Sequence, residues 1–136
     1  VSSRDRVLDG LREILLAVEH SRHVIAKRFD LNVTDMSALS YLRSRGGLGQ
    51  TDLATYLELS TSSVTTLIDR LERRGLAART AHPNDRRRTT VLCTEAGEQI
   101  VNEIRDWYSH ALDALSEQEL AAAASAITTM ARELNR

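Results

Sequence analysis

Between Gly46 and Gly97 the chain breakers fall at intervals that leave few folds open. Gly46-Gly47 end one apolar-periodic segment, Gly49 opens a short one, Ser60 opens the next and Gly75 closes it. The only proline, Pro83, lies within His82-Pro83-Asn84-Asp85, a run dense in turn formers. Serine just before a helical pattern satisfies free first-turn amides, and glycine just after one supplies the left-handed stop. The spacing therefore predicts a short helix over 52–57 with Gly49 as its cap, and a helix from Thr61 to Arg74. Two extended stretches follow, Leu76–Ala81 and Thr89–Cys93, around the proline turn. Two short helices joined through Glu58-Leu59-Ser60 read as a helix-turn-helix, and the hairpin directly behind makes it winged.

Helical patterns flank this centre. Val7, Leu8, Leu11, Ile14, Leu15, Val18, Val24 and Ile25 predict a first helix over about 4–28. Thr34 is the expected cap of a second helix carrying Met36, Leu39 and Leu42. Thr94 is the expected cap of a fifth helix running to about Leu115, and Ser116 with Glu119 forms a capping box for a sixth. The fold class is mostly α: six helices with one small antiparallel β-hairpin. A chain of 136 residues suits one domain. No apolar run is long enough to span a membrane, and no signal-peptide pattern opens the chain. A single cysteine, Cys93, excludes an internal disulfide and fits a reducing compartment, so a cytoplasmic location is expected.

The formal net charge of −1 conceals a gradient. Residues 34–94 carry nine basic and six acidic side chains, whereas residues 95–136 carry three and eight. Within Arg70–Arg88, seven arginines face only Glu72 and Asp85, which is the local footprint of a nucleic-acid binder. On the fourth helix, Val64, Leu67, Ile68 and Leu71 form the inward stripe. Ser62, Ser63, Thr65 and Thr66 lie on the other faces, small enough to let a helix N-terminus approach phosphates and base edges. Arg70 and Arg73 follow one and two turns later and can reach a phosphate or a guanine edge. Arg86, Arg87 and Arg88 form the wing, where an arginine on a narrow ribbon is drawn into a narrow minor groove. Asp85 is placed to orient an arginine by a charge-assisted pair.

The stretch from Gly49 to Gly97, GQTDLATYLELSTSSVTTLIDRLERRGLAARTAHPNDRRRTTVLCTEAG, resembles the MarR family of transcriptional regulators. The resemblance rests on the short helix, the Ser-rich helix ending D-R-L-E-R-R-G-L, and the Asp-Arg-Arg wing leading to Thr-Glu-Ala-Gly. It implies a winged helix-turn-helix homodimer on double-stranded DNA with a pseudo-palindromic operator, acting as a repressor. Residues 34–94 would form the DNA-binding lobe of a single 1–136 domain, with 1–33 and 95–136 as a helical dimerisation region. The family's Asp-x-Arg wing motif falls on Asp85 and Arg87, with Arg87 in the minor groove. The resemblance also implies a small phenolic or lipophilic effector, for which Leu16, His20, Tyr41, Arg43 and Trp107 are candidate contacts, although these aromatics equally suit a core or a dimer seam.

Where the family has Leu before the cap of the fifth helix, this chain has Cys93. Its alternation with Val91 points to a small apolar filler, and the sensing cysteine of peroxide-responsive relatives has no counterpart in the first helix. His20, His23, His82 and His110 are too scattered for a metal motif. No nucleophile-base order, phosphate loop or carboxylate pair supports catalysis, and no cofactor is implied. Two other readings use the same architecture: a winged helix turned to protein contacts, and an architectural DNA protein without sequence preference.

Overall fold

A computed structural model describes residues 1–136. Its elements run α1 (Ser3–Arg28), α2 (Val33–Arg45), β1 (Leu48–Gly49), α3 (Gln50–Leu57), α4 (Thr61–Arg73), β2 (Ala77–His82), β3 (Asp85–Cys93), α5 (Glu95–Leu112) and α6 (Glu117–Leu134). The six helices and the β2–β3 hairpin lie where the periodicity predicts them. Two differences have local causes. The cap of α2 is Asn32, not Thr34: the Asn32 side chain accepts from the Asp35 amide at 2.7 Å, and the Asp35 carboxylate accepts from the Asn32 amide at 3.2 Å. α5 ends at Leu112, three residues short of expectation, and the chain turns before Ser116 closes the capping box with Glu119.

The sheet has three strands in the order β1-β3-β2, all antiparallel. β1 pairs Leu48 with Val91 and Gly49 with Thr90. It escapes a reading of periodicity because two residues cannot show an alternation. Gly47 delivers the chain to this strand at φ +110°, where a Cβ would also come within 2.5 Å of the Leu92 side chain.

Two compact units divide the chain, Val1–Ile104 and Arg105–Arg136. The core of the first is built from Met36, Leu39 and Leu42 of α2, Leu53 of α3, Val64, Ile68 and Leu71 of α4, and Val91 of β3, all essentially inaccessible. Ile25 and Ala26 of α1 and Ile100 and Ile104 of α5 close it. α5 approaches through Gly97, where a Cβ would meet the Leu76 carbonyl oxygen at 2.2 Å. In the second unit, α6 is an 18-residue helix with no buried residue. No helix is long and apolar enough to cross a membrane.

Candidate nucleic-acid interface

The sequence of α4 separates its two faces cleanly. Val64, Leu67, Ile68 and Leu71 are buried, and Ser62, Ser63, Thr66, Asp69 and Arg73 are exposed. Ser60 caps the helix by accepting from the Ser63 amide at 3.1 Å. The first turn carries no acidic residue, so nothing opposes an anion at its free amides.

Three latches on the inner side fix how α4 is held. Arg70 donates to Asp35 at 2.6 Å, and the Asp35 side chain is only 3% exposed. Arg70 is thus committed to a buried carboxylate of α2, which corrects its expected place among the phosphate-reaching groups. The reason is local. Asp35 spends one oxygen on its own helix cap, and Arg70 neutralises what would otherwise be a buried, unpaired charge. Arg74 donates to the Phe29 and Asp30 carbonyls at 2.5 and 2.7 Å, satisfying the end of α1. Arg79 of β2 bridges Asp69 at 2.7 Å and Glu72 at 2.8 Å, tying the wing to α4, and these partners hold its guanidinium pKa up despite burial. Thr65 is also engaged: it donates to the Thr61 carbonyl at 2.9 Å and accepts from Gln50. Half-buried and bonded on both sides, it positions α3 against α4.

On the outer side no arginine makes an ion pair to another element. Arg73, Arg86 and Arg88 are exposed and carry no ion pair, and Arg87 is 92% exposed. Register explains the wing. Ala81 pairs with Thr89 and His82 with Asp85, so Arg86, Arg87 and Arg88 have no partner on β2 and bulge from the strand. A bulge aims side chains that a regular ladder would alternate. Asp85 Oδ1 accepts from the Arg87 amide at 3.0 Å and from its Nε at 3.5 Å. The link between the strands is Pro83-Asn84 rather than the expected 82–88, because His82 pairs with Asp85 and β3 therefore begins at Asp85 instead of Thr89.

Residues 31–89, from the start of α2 into the arginine bulge, match the model of the MarR family. Over that segment the chain is similar to the MarR family. It is similar to the uncharacterized HTH-type transcriptional regulator YcgE of Bacillus subtilis, 35% identical over 79 residues, which are 58% of this chain and 51% of that protein. It is also similar to the HTH-type transcriptional regulator MhqR of the same organism, 32% identical over 94 residues, 66% of this chain and 65% of the relative. The matches thus span about half to two thirds of these relatives' length. In fold, the solved MarR family protein from Bacillus stearothermophilus superposes with a TM-score of 0.76 at 22% identity, over 100% of this chain and 99% of that one.

The other singled-out residues fall as follows. The Cys93 thiol is pushed up to about 11, first by burial and then by Glu98, so it stays protonated near neutrality and fills space beside Gly97. Among the effector candidates, Tyr41 stacks on Tyr56 at 4.9 Å, with Arg45 over the Tyr56 ring at 5.4 Å. Arg43 donates to Asn102, and Trp107 meets Tyr108 edge-on at 5.3 Å. Leu16 and His20 are exposed on α1. Sequence reasoning missed Asp35, Arg74, Arg79 and Gln50. Only Asp35 left a trace, in the Asn-x-x-Asp capping pattern. Arg74 and Gln50 act through partners far off in the chain, and Arg79 reaches back from β2 to Glu72 and Asp69 of α4.

Proposed function

We propose that this chain is a sequence-specific, double-stranded DNA-binding transcriptional regulator. It works as a homodimer, with residues 34–94 as the DNA-binding lobe and residues 1–33 and 95–136 as the dimerisation region. Ser62, Ser63, Thr66 and Arg73 face the major groove, and Arg86, Arg87 and Arg88 enter the neighbouring minor groove, with Asp85 orienting Arg87. One observation carries the reading. Every arginine on the inner side of α4 and β2 is bonded across to another element, while on the outer side Arg73, Arg86 and Arg88 are exposed without an ion pair and Arg87, 92% exposed, pairs only with Asp85 of its own wing. Cations left free beside a small-residue helix face suit a surface that meets phosphate. Occupying an operator excludes other proteins from that DNA, which makes repression the expected mode.

Dimerisation is supported by apolar side chains that one chain leaves in water. On α1, Val7, Leu8, Ile14, Leu15 and Leu16 are between 53% and 60% exposed, and on α6 Ile127 is 61% and Leu134 77% exposed. An effector is supported by uncompensated charge. The half-buried Arg22 of α1 and Arg43 of α2 bond only to neutral partners, Ser37 and Asn102. Two cations without a carboxylate suit an acidic phenol better than a neutral lipophile.

The test is binding of the purified chain to fragments of its source genome by gel shift, with excess unrelated duplex as competitor. A few fragments should survive competition and share a pseudo-palindromic element. Uniform retention would favour the architectural reading, and no retention at low salt would favour a protein-contact module.

A further inference from the structure

The hydroxyl groups of α4 are not interchangeable, because the protein has already spent most of their protons. A backbone carbonyl can only accept, so each hydroxyl bonded to one must be the donor. Thr66 donates to the Ser62 carbonyl at 3.1 Å, and Thr65 to the Thr61 carbonyl at 2.9 Å. Ser60 accepts from the Ser63 amide at 3.1 Å and gives its own proton to the Ser63 hydroxyl at 2.9 Å. Its 3.2 Å contact with the Ser62 hydroxyl must therefore be donated by Ser62. Thr65 is half-buried and spends its proton on Thr61 and one of its two lone pairs on Gln50, so it offers less outward than Thr66. What α4 offers outward is a lone pair on Ser62, a proton on Ser63, and on Thr66 a lone pair together with a methyl group.

We infer that Thr66 is a specificity-determining residue that selects A·T at the base pair, or the two adjacent pairs, it faces. An acceptor without a proton can bond a base only through an amino group, which in the major groove means adenine N6 or cytosine N4. The methyl group breaks that tie, because a thymine methyl lies beside the adenine amino group and a cytosine pair has none. Guanine O6 and N7 would confront the Thr66 lone pair with their own, and are selected against. Ser62 presents an acceptor without a methyl group and carries no such preference.

This inference rests on the DNA-binding reading, and its test separates the two. With the operator in hand, each adenine of a half-site is replaced by purine, which lacks the amino group, and each thymine by uracil, which lacks the methyl. Binding of the 136-residue chain is measured beside Thr66→Val, which keeps the methyl and loses the acceptor, and Thr66→Ser, which does the reverse. At one A·T step the unmodified protein should lose roughly 10-fold to 100-fold on purine substitution. Thr66→Val should bind the natural operator weaker by a similar factor and be indifferent to purine there. Thr66→Ser should be indifferent to uracil at that step. If Thr66→Val binds like the unmodified protein and keeps every purine penalty, the inference is overturned while the DNA-binding reading stands. If the unmodified protein retains no DNA, the reading itself fails.

Discussion

Arg70 shows how one side chain can be assigned correctly to an element and still be read for the wrong partner. On a helical wheel it borders the outward face of α4, which is why phosphate was its expected partner. In the fold it reaches Asp35 at 2.6 Å, across to α2. The pair is asymmetric, with the arginine side chain 38% exposed and the aspartate 3%. Removing the arginine leaves a nearly buried carboxylate without its cation, whereas removing the carboxylate frees an arginine that can turn to water. Arg70→Ala should therefore cost about 2 kcal/mol of stability, a figure below the usual cost of breaking a fully buried pair because solvent screens one partner. Arg70→Met combined with Asp35→Asn should recover part of that loss, since asparagine keeps the cap and removes the orphaned charge. Urea unfolding of the parent chain and these two variants checks this. If Arg70→Ala proves as stable as the parent chain, the latch contributes nothing and Arg70 returns to the list of free cations.

At the scale of elements, what could be read from the sequence follows a simple division. Most helix ends marked by short-range chemistry were legible, as Ser60, Gly75 and Ser116 each act on groups within a few residues. The exception is Asn32, whose box with Asp35 is equally local although the sequence points to Thr34. The inward stripe of α4 was legible because burial of Val64, Leu67, Ile68 and Leu71 is written into a 3.6-residue period. Features made by pairing distant segments were not legible. β1 exists only because Leu48 and Gly49 find Val91 and Thr90, and the latches of Arg74 and Arg79 depend on the same kind of closure. The wing belongs here too. Strict alternation along a ribbon would turn Arg88 away from Arg87, but the register leaves all three arginines outside the ladder. Arg88→Ala should then weaken DNA binding about as much as Arg86→Ala, and Arg87→Ala more than either, because Asp85 holds that side chain in place. In affinity measured against salt, each loss of a phosphate-neutralising arginine should lower the slope by about 0.9. The Arg87→Ala penalty should be largest where the flanking DNA is A·T-rich and its minor groove narrow. Unchanged affinity and salt dependence in Arg87→Ala would remove the wing from recognition altogether.

For the whole molecule the deciding quantity is apolar surface that a single chain cannot hide. The winged unit needs no help: Met36, Leu39, Leu42, Leu53, Ile68 and Val91 are inaccessible within one copy. α6 is different, since a helix of 18 residues with none buried has gained little from folding beyond its own hydrogen bonds. Its Ser116–Glu119 box and its alanine run favour helix formation, but Ile127 and Leu134 remain in water. In the proposed homodimer, a second copy covering these groups and the exposed leucines of α1 would supply the missing stabilisation and double the DNA contacts. Deleting residues 117–136 should accordingly leave a chain that is insoluble, or one that is monomeric and no longer retained by the operator. The intact chain should sediment as a dimer at micromolar concentration. Two-fold symmetry then fixes the footprint: one α4 per half-site, with the half-sites about 10 base pairs apart, one helical turn. Sedimentation and footprinting of the intact and shortened chains test both parts together. A soluble monomeric truncate that protected the same two half-sites would show that the apolar faces of α1 and α6 serve something other than self-association.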